Sequence, residues 1–333
     1  MSRRGLRRLA RRLRDGAPVP PVRRLQPELG SVWQDTPVGK SRNPEARRSA
    51  TRKPPALSMV RKNPPSGAES DPVAGGLARD ANARAELIAA MTASLLEEMA
   101  EARTPLAAER VLCGAFAAVE ASLPDDADEE ERLEALTLLL GQVIGQAQAL
   151  ATVDALALLR VCSVLGPATS QAAARKGAGQ LAAAGVADGP WADRVGHPTM
   201  LRAWRYGDVF GAQSSVGVLF DYRGREHAVM VLVDHLLGGG IKDCWVSEGR
   251  SAKEMRNTVA AAMASEPGTF FEDIDADAVE VLLGSALTNP PCPEQADQIE
   301  DVANQLYLVR ARVEHVAQLA GVAGQDGRGG RPS

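Results

Sequence analysis

The densest chemistry in the chain lies at residues 234–243, which read DHLLGGGIKD. Two carboxylates, an imidazole and an ammonium within one short segment can relay protons or hold a cation. Asp234, His235, Lys242 and Asp243 are therefore the candidate catalytic residues, and Asp234, His235 and Asp243 the candidate metal ligands. If the segment joins two adjacent strands, His235 is expected near Asp243, and Asp208, ahead of the first strand, can join them.

Each sharp reading has a gap. A metal site lacks ligands, because His227 lies eight residues before His235, roughly 26 Å away along a straight strand. Acid–base chemistry by a His235–carboxylate pair lacks a nucleophile, since Ser214 and Ser215 stand in no recognised motif. The triple glycine Gly238–Gly240 fits neither GxGxxG nor GxxxxGK[ST], so no cofactor is expected. The structural alternative is simpler. The glycines permit positive φ in a tight connection, and the charged groups bond to loop N–H groups and to Lys242.

The elements that must position these residues show a period of two. Val216, Val218, Phe220 and Tyr222 alternate with Gly217, Leu219 and Asp221. Arg223-Gly224-Arg225 is a turn, and residues 226–234 form a strand that is apolar on both faces from Ala228 to Val233, as expected of a central strand. Ile241–Val246 makes a third strand, antiparallel to the second. The run HAVMVLVDHLLGGGIKDCWV resembles a strand, D-H, glycine, K-D, strand pattern in uncharacterised proteins of GC-rich actinobacteria. The likeness covers about residues 200–250 and implies no activity.

Ahead of this segment, about residues 79–189 read as helices. Asp80 can cap a first helix, with Ile88, Met91, Leu95 and Met99 on one stripe. Thr104-Pro105 and Thr152 are start signals. The acidic run Asp128–Glu131 suits the first turn of a helix better than a metal. An alanine-rich helix is expected from about Thr169 to Ala184. Behind the strands, Ser251 with Glu254 is a capping box, and Phe270-Phe271 a connector to a short helix. A long last helix carries a heptad seam of Ile299, Val302, Leu306, Val309, Val313 and Val316. Its flanks lack opposite-sign pairs, so the seam is expected to pack onto the protein's own body rather than into a coiled coil.

The chain ends differ from this body. Residues 1–62 hold 17 Lys/Arg against 4 Asp/Glu, or +13, which leaves 21 against 38, or −17, for the rest and −4 in all. Residues 1–78 also hold 11 of the 21 prolines. Such a segment is expected to be a disordered basic arm able to touch nucleic acid weakly through charge alone. Met59 is a plausible start, which would make residues 1–58 a gene-model extension. Residues 322–333 are expected to be a disordered tail, and residues 190–321 an α+β region. The four cysteines form no CxxC and no apolar run nears the roughly 18 residues of a membrane span, so a cytoplasmic location is expected.

The fold class expected is thus α+β: a helical half followed by a small antiparallel β-meander covered by helices. The function expected is a non-enzymatic interaction or regulatory protein with a protein partner. The alternative is a small-molecule hydrolase or metal-dependent enzyme centred on Asp234–Asp243.

Overall fold

The computed structural model describes residues 72–124 and 127–326. The expected arm, apart from its last residues, and most of the expected tail lie outside them. From Ala81 onward the described chain belongs to one compact unit.

Five helices come first: α1 (Pro72–Glu101), α2 (Pro105–Glu120), α3 (Glu129–Leu150), α4 (Val153–Cys162) and α5 (Ala168–Ala183). Local chemistry sets most of their starts. Thr104 accepts the Ala107 N–H at 3.0 Å and Thr152 the Ala155 N–H at 3.1 Å. Asp128 and Glu131 form a reciprocal capping box, so the acidic run is a helix start. The first helix departs from expectation: it begins at Pro72, not after Asp80. Proline is well suited to a first turn, where its missing N–H costs nothing.

The rest is a five-stranded antiparallel sheet with three helices. The strands are β1 (Thr199–Asp208), β2 (Gln213–Asp221), β3 (Glu226–Asp234), β4 (Gly240–Glu248) and β5 (Thr269–Ile274), in the order β4-β3-β2-β1-β5. Helix α6 (Gly249–Ala264) lies between β4 and β5 in sequence; α7 (Ala276–Thr288) and α8 (Ala296–Asp326) follow. The α+β class and the β2–β3–β4 meander are as expected. Two strands were not legible. In β1 the register breaks between Met200 and Arg202, which destroys the alternation. β5, read from sequence as a connector, is a half-buried edge strand. β3 is buried on both faces because helices cover both, yet β2 is the middle strand.

One sheet face presents Trp204, Leu219, Met230 and Trp245 to Met255 and Val259 of α6. The other presents Val216, Val218, Val229 and Val231 to Val279 and Leu283 of α7 and to Val309, Val313 and Val316 of α8. A second stripe of α8, including Leu308 and Ala311, packs into the core of the first five helices. The seam therefore serves the protein's own body; only its first member, Ile299, stays exposed.

One buried polar cluster joins the helical half to the sheet. Glu109 of α2 is fully buried and receives two N–H groups of Arg312 on α8, which is 2% exposed. Tyr222 donates its hydroxyl to Glu109 at 2.7 Å, and the Gly196 N–H reaches the same oxygen at 3.2 Å. His227 lies between the rings of Phe220 and Tyr222, with centroids 5.5 and 5.4 Å away. Its Nε2 faces the Arg312 Nε at 3.4 Å, so that nitrogen is the acceptor. Arg312 also stands over both aromatic rings.

Burial, with the Arg312 cation beside it, pushes the His227 imidazole down to about 3. An unfolded chain protonates this histidine near 6.5. Between those values the unfolded state binds the proton and the native state does not, so stability falls as pH falls. We expect unfolding free energy to drop by about 2 kcal/mol from pH 6 to pH 4.5 on account of His227 alone. Urea melts of the native protein and of His227→Phe, which keeps the ring stack, should differ in this slope. Equal slopes would remove His227 as the cause.

A candidate functional site at the glycine-rich end of the sheet

β1, β3 and the turns after them meet at one end of the sheet. Asp208 closes β1, and its carboxylate accepts N–H groups from Phe210 (3.0 Å), Ala212 (3.1 Å) and Gln213 (2.8 Å). Burial pushes this carboxyl up, but the three backbone donors outweigh it and hold it below the usual range. Gln213 opens β2 opposite Asp234, and its side-chain amide donates to Asp234 at 2.5 Å.

Asp234 is 1% exposed and uses both oxygens. Oδ1 accepts the N–H groups of Leu236 (3.1 Å) and Leu237 (3.2 Å) in the short 3₁₀ turn after β3. Oδ2 accepts from Gln213 and from Nζ of Lys242, the latter at 2.5 Å. Burial pushes the Asp234 carboxyl up; the Lys242 and Gln213 hydrogen bonds outweigh that and leave it below its usual value. Lys242 itself is fully buried and meets a second carboxylate, Glu294, at 3.0 Å. Its position comes from an irregularity in the β3–β4 ladder: Leu232 faces Asp243 and Val233 faces Ile241, which leaves Lys242 as the extra residue.

The glycines behave as the structural reading requires. Gly238 and Gly239 have φ of 92° and 78°, and a side chain on Gly240 would collide with the Pro290 carbonyl at 2.0 Å. That carbonyl belongs to the segment after α7, which covers the β4 edge by donating the Cys292 N–H to Ile241 at 2.8 Å.

Asp234 and Lys242 are therefore brought together, and Asp208 joins them through Gln213. The register places Asp243 opposite Leu232, and the Asp243 carboxylate lies near Tyr206, whose hydroxyl is pushed up to about 12 by burial first and by that charge last. His235 is exposed and its Nε2 lies 2.8 Å from Oγ of Ser214. A Ser–His contact is a beginning of nucleophile chemistry, but Ser214 is only 4% exposed. At that burial a substrate carbonyl has little access to its oxygen. Among the described residues, no group of three or more His, Cys, Asp or Glu is placed to hold a metal ion.

What the polar chain does is hold two turns side by side. The His235 N–H donates to the Ala212 carbonyl at 3.0 Å, which ties the β3–β4 turn to the β1–β2 turn about two strand spacings, or about 10 Å, away. Both turns point apolar side chains outward: Val209 is 58% exposed, Phe210 86%, Leu236 60% and Leu237 50%. Sequence reading missed these four because short apolar pairs inside turns carry no periodicity. It also missed Glu109 and Arg312, which are 203 residues apart.

Comparison of the chain with protein-family models, curated proteins and solved structures found no match in any of the three.

Replacing Asp234 by Ala leaves a fully buried ammonium with one half-exposed partner and frees two turn N–H groups. We expect a loss of about 3 kcal/mol, the scale of breaking a buried charge pair. His235→Ala removes one contact of an exposed ring, and we expect a loss below about 1 kcal/mol. Thermal melts of the two variants separate the roles; similar, near-native melting of both would contradict a structural Asp234.

Proposed function

We propose that this chain is a non-catalytic interaction or regulatory protein that engages a protein partner through the paired turns at the end of its sheet. The observation that carries this reading is the pinned exposure of Val209, Phe210, Leu236 and Leu237 beside a polar chain whose members already bond to one another. Exposed apolar groups on rigid turns lose little conformational entropy on binding, which favours recognition. A cytoplasmic location, a weak charge-driven contact of residues 1–62 with nucleic acid and a kinship with the uncharacterised actinobacterial proteins belong to the same reading. No helix among the described residues is long and apolar enough to cross a membrane.

The Ser214–His235 contact at 2.8 Å favours a second reading, a hydrolase acting on small esters. In it, His235 accepts the proton as the serine oxygen attacks. The burial of Ser214 weighs against it.

The test is a double variant, Phe210→Ser with Leu236→Ser. Both positions are exposed, so stability should stay within about 0.5 kcal/mol of the native protein. Quantitative affinity purification from the source cell should show a defined protein retained by the native chain and by a Leu319→Ser control, but lost from the double variant. Retention that ignores the double variant counts against the proposal. Labelling of Ser214 by a fluorophosphonate, absent in Ser214→Ala, would move the reading to the hydrolase.

A further inference from the structure

A concave surface on the helical side of the molecule differs from the turns in chemistry. A cleft of about 400 Å³ opens between α4, α5, α8 and the connection from α5 to β1, a volume within the range of small-ligand sites. Arg160 and Arg175 face it from the helical half, and His315 and Glu314 from α8. His197 and Asp193 face it from the connection.

The donors are arranged, not scattered. Arg160 is locked by a two-point contact with Asp188, at 3.0 and 2.9 Å. Arg175 gives one N–H to the Ser163 carbonyl at 3.2 Å; among the described residues its fork meets only that group. His315 Nε2 lies 2.7 Å from the Pro198 carbonyl. A carbonyl only accepts, so Nε2 carries the proton and Nδ1 of the neutral ring is an acceptor. The His197 ring stands 6.2 Å from it, edge to face.

The Arg175 guanidinium and an exposed imidazole suit a phosphate, which a planar fork binds at two points. Beside them, Asp193, Glu314 and the His315 Nδ1 are acceptors suited to hydroxyl groups. The −17 of the body opposes long polyanions but does not govern one small anion held at contact distance, since charges beyond about 10 Å are screened.

We infer that this cleft binds a small phosphorylated polyol or sugar. The phosphate lies against Arg175 and His197, and the hydroxyl groups against Asp193, Glu314 and His315. Such a ligand bridges the helical half to α8. Gly196, in the cleft wall, gives its N–H to Glu109, so the ligand sits directly over the cluster that joins the two halves. This inference stands whether or not the turns bind a partner.

Glucose 6-phosphate, orthophosphate and glucose serve as probes, each at fixed ionic strength. The full chain should show a saturable rise in melting temperature with glucose 6-phosphate, a weaker one with orthophosphate and none with glucose. Calorimetric titration should show affinity for glucose 6-phosphate reduced about tenfold or more in Arg175→Ala, the scale of one charged hydrogen bond. His315→Gln should weaken the sugar phosphate more than orthophosphate, and Arg225→Ala, on a remote turn, should match the native protein. Arg175 is exposed on α5, so its variant should keep the native melt. No saturable response to either phosphate, or an equal response in Arg175→Ala, overturns the inference. Orthophosphate binding as tightly as glucose 6-phosphate overturns its polyol part.

Discussion

The interaction on which the rest of this structure depends is the ion pair between Glu109 and Arg312. Both side chains are almost wholly removed from water. Desolvating two charges costs several kcal/mol each, and their attraction repays this only with good geometry and further hydrogen bonds. Those bonds are present: Arg312 meets Glu109 through two nitrogens, and Tyr222, Gly196 and His227 complete the cluster. The pair is thus a device of specificity more than of net stability. An arrangement in which α8 slides or turns leaves two unpaired charges in the core, and that penalty excludes competing packings of α8 against α2.

The same logic governs the far end of the sheet at smaller scale. Lys242 is buried because an extra residue in the β4 ladder places it there, and Asp234 and Glu294 supply its counter-charges. Asp234 in turn orders the turn that follows it, and Asp208 orders the neighbouring turn through three N–H groups. Of the polar residues that first suggest catalysis, Asp234 holds backbone and Lys242 pairs with carboxylates. Their product is a sheet end with ordered turns and exposed apolar groups, the surface we propose for recognition.

The two ends divide the chemistry of the molecule. At the turns the exposed groups are apolar and the charges face inward. At the cleft between α4, α5 and α8 the charges face outward around a cavity whose wall touches the central ion pair. A group bound there acts on the junction of the two halves, whereas one bound at the turns acts on hairpins anchored within the sheet.

Much of the local structure was legible because its causes are local. Thr104, Asp128 with Glu131, and Thr152 cap helices through bonds spanning three residues. β3 was legible to the residue because its apolar run ends in Asp234, and the Asp234–Lys242 pair because eight residues across one hairpin leave few alternatives. β1 and β5 were not, since a register break and half-exposed edge erase the period of two. The sequence by itself determined the class of fold, the β2–β3–β4 meander and the charged residues at the sheet end. Only the tertiary structure decided that Asp234 is engaged by turn N–H groups and by Lys242, that His235 meets Ser214, and that Glu109 finds Arg312. The reason is physical: a capping bond is chosen among neighbours a few residues apart, whereas a buried charge must find its partner across the whole chain, and nothing in the local pattern encodes that distance.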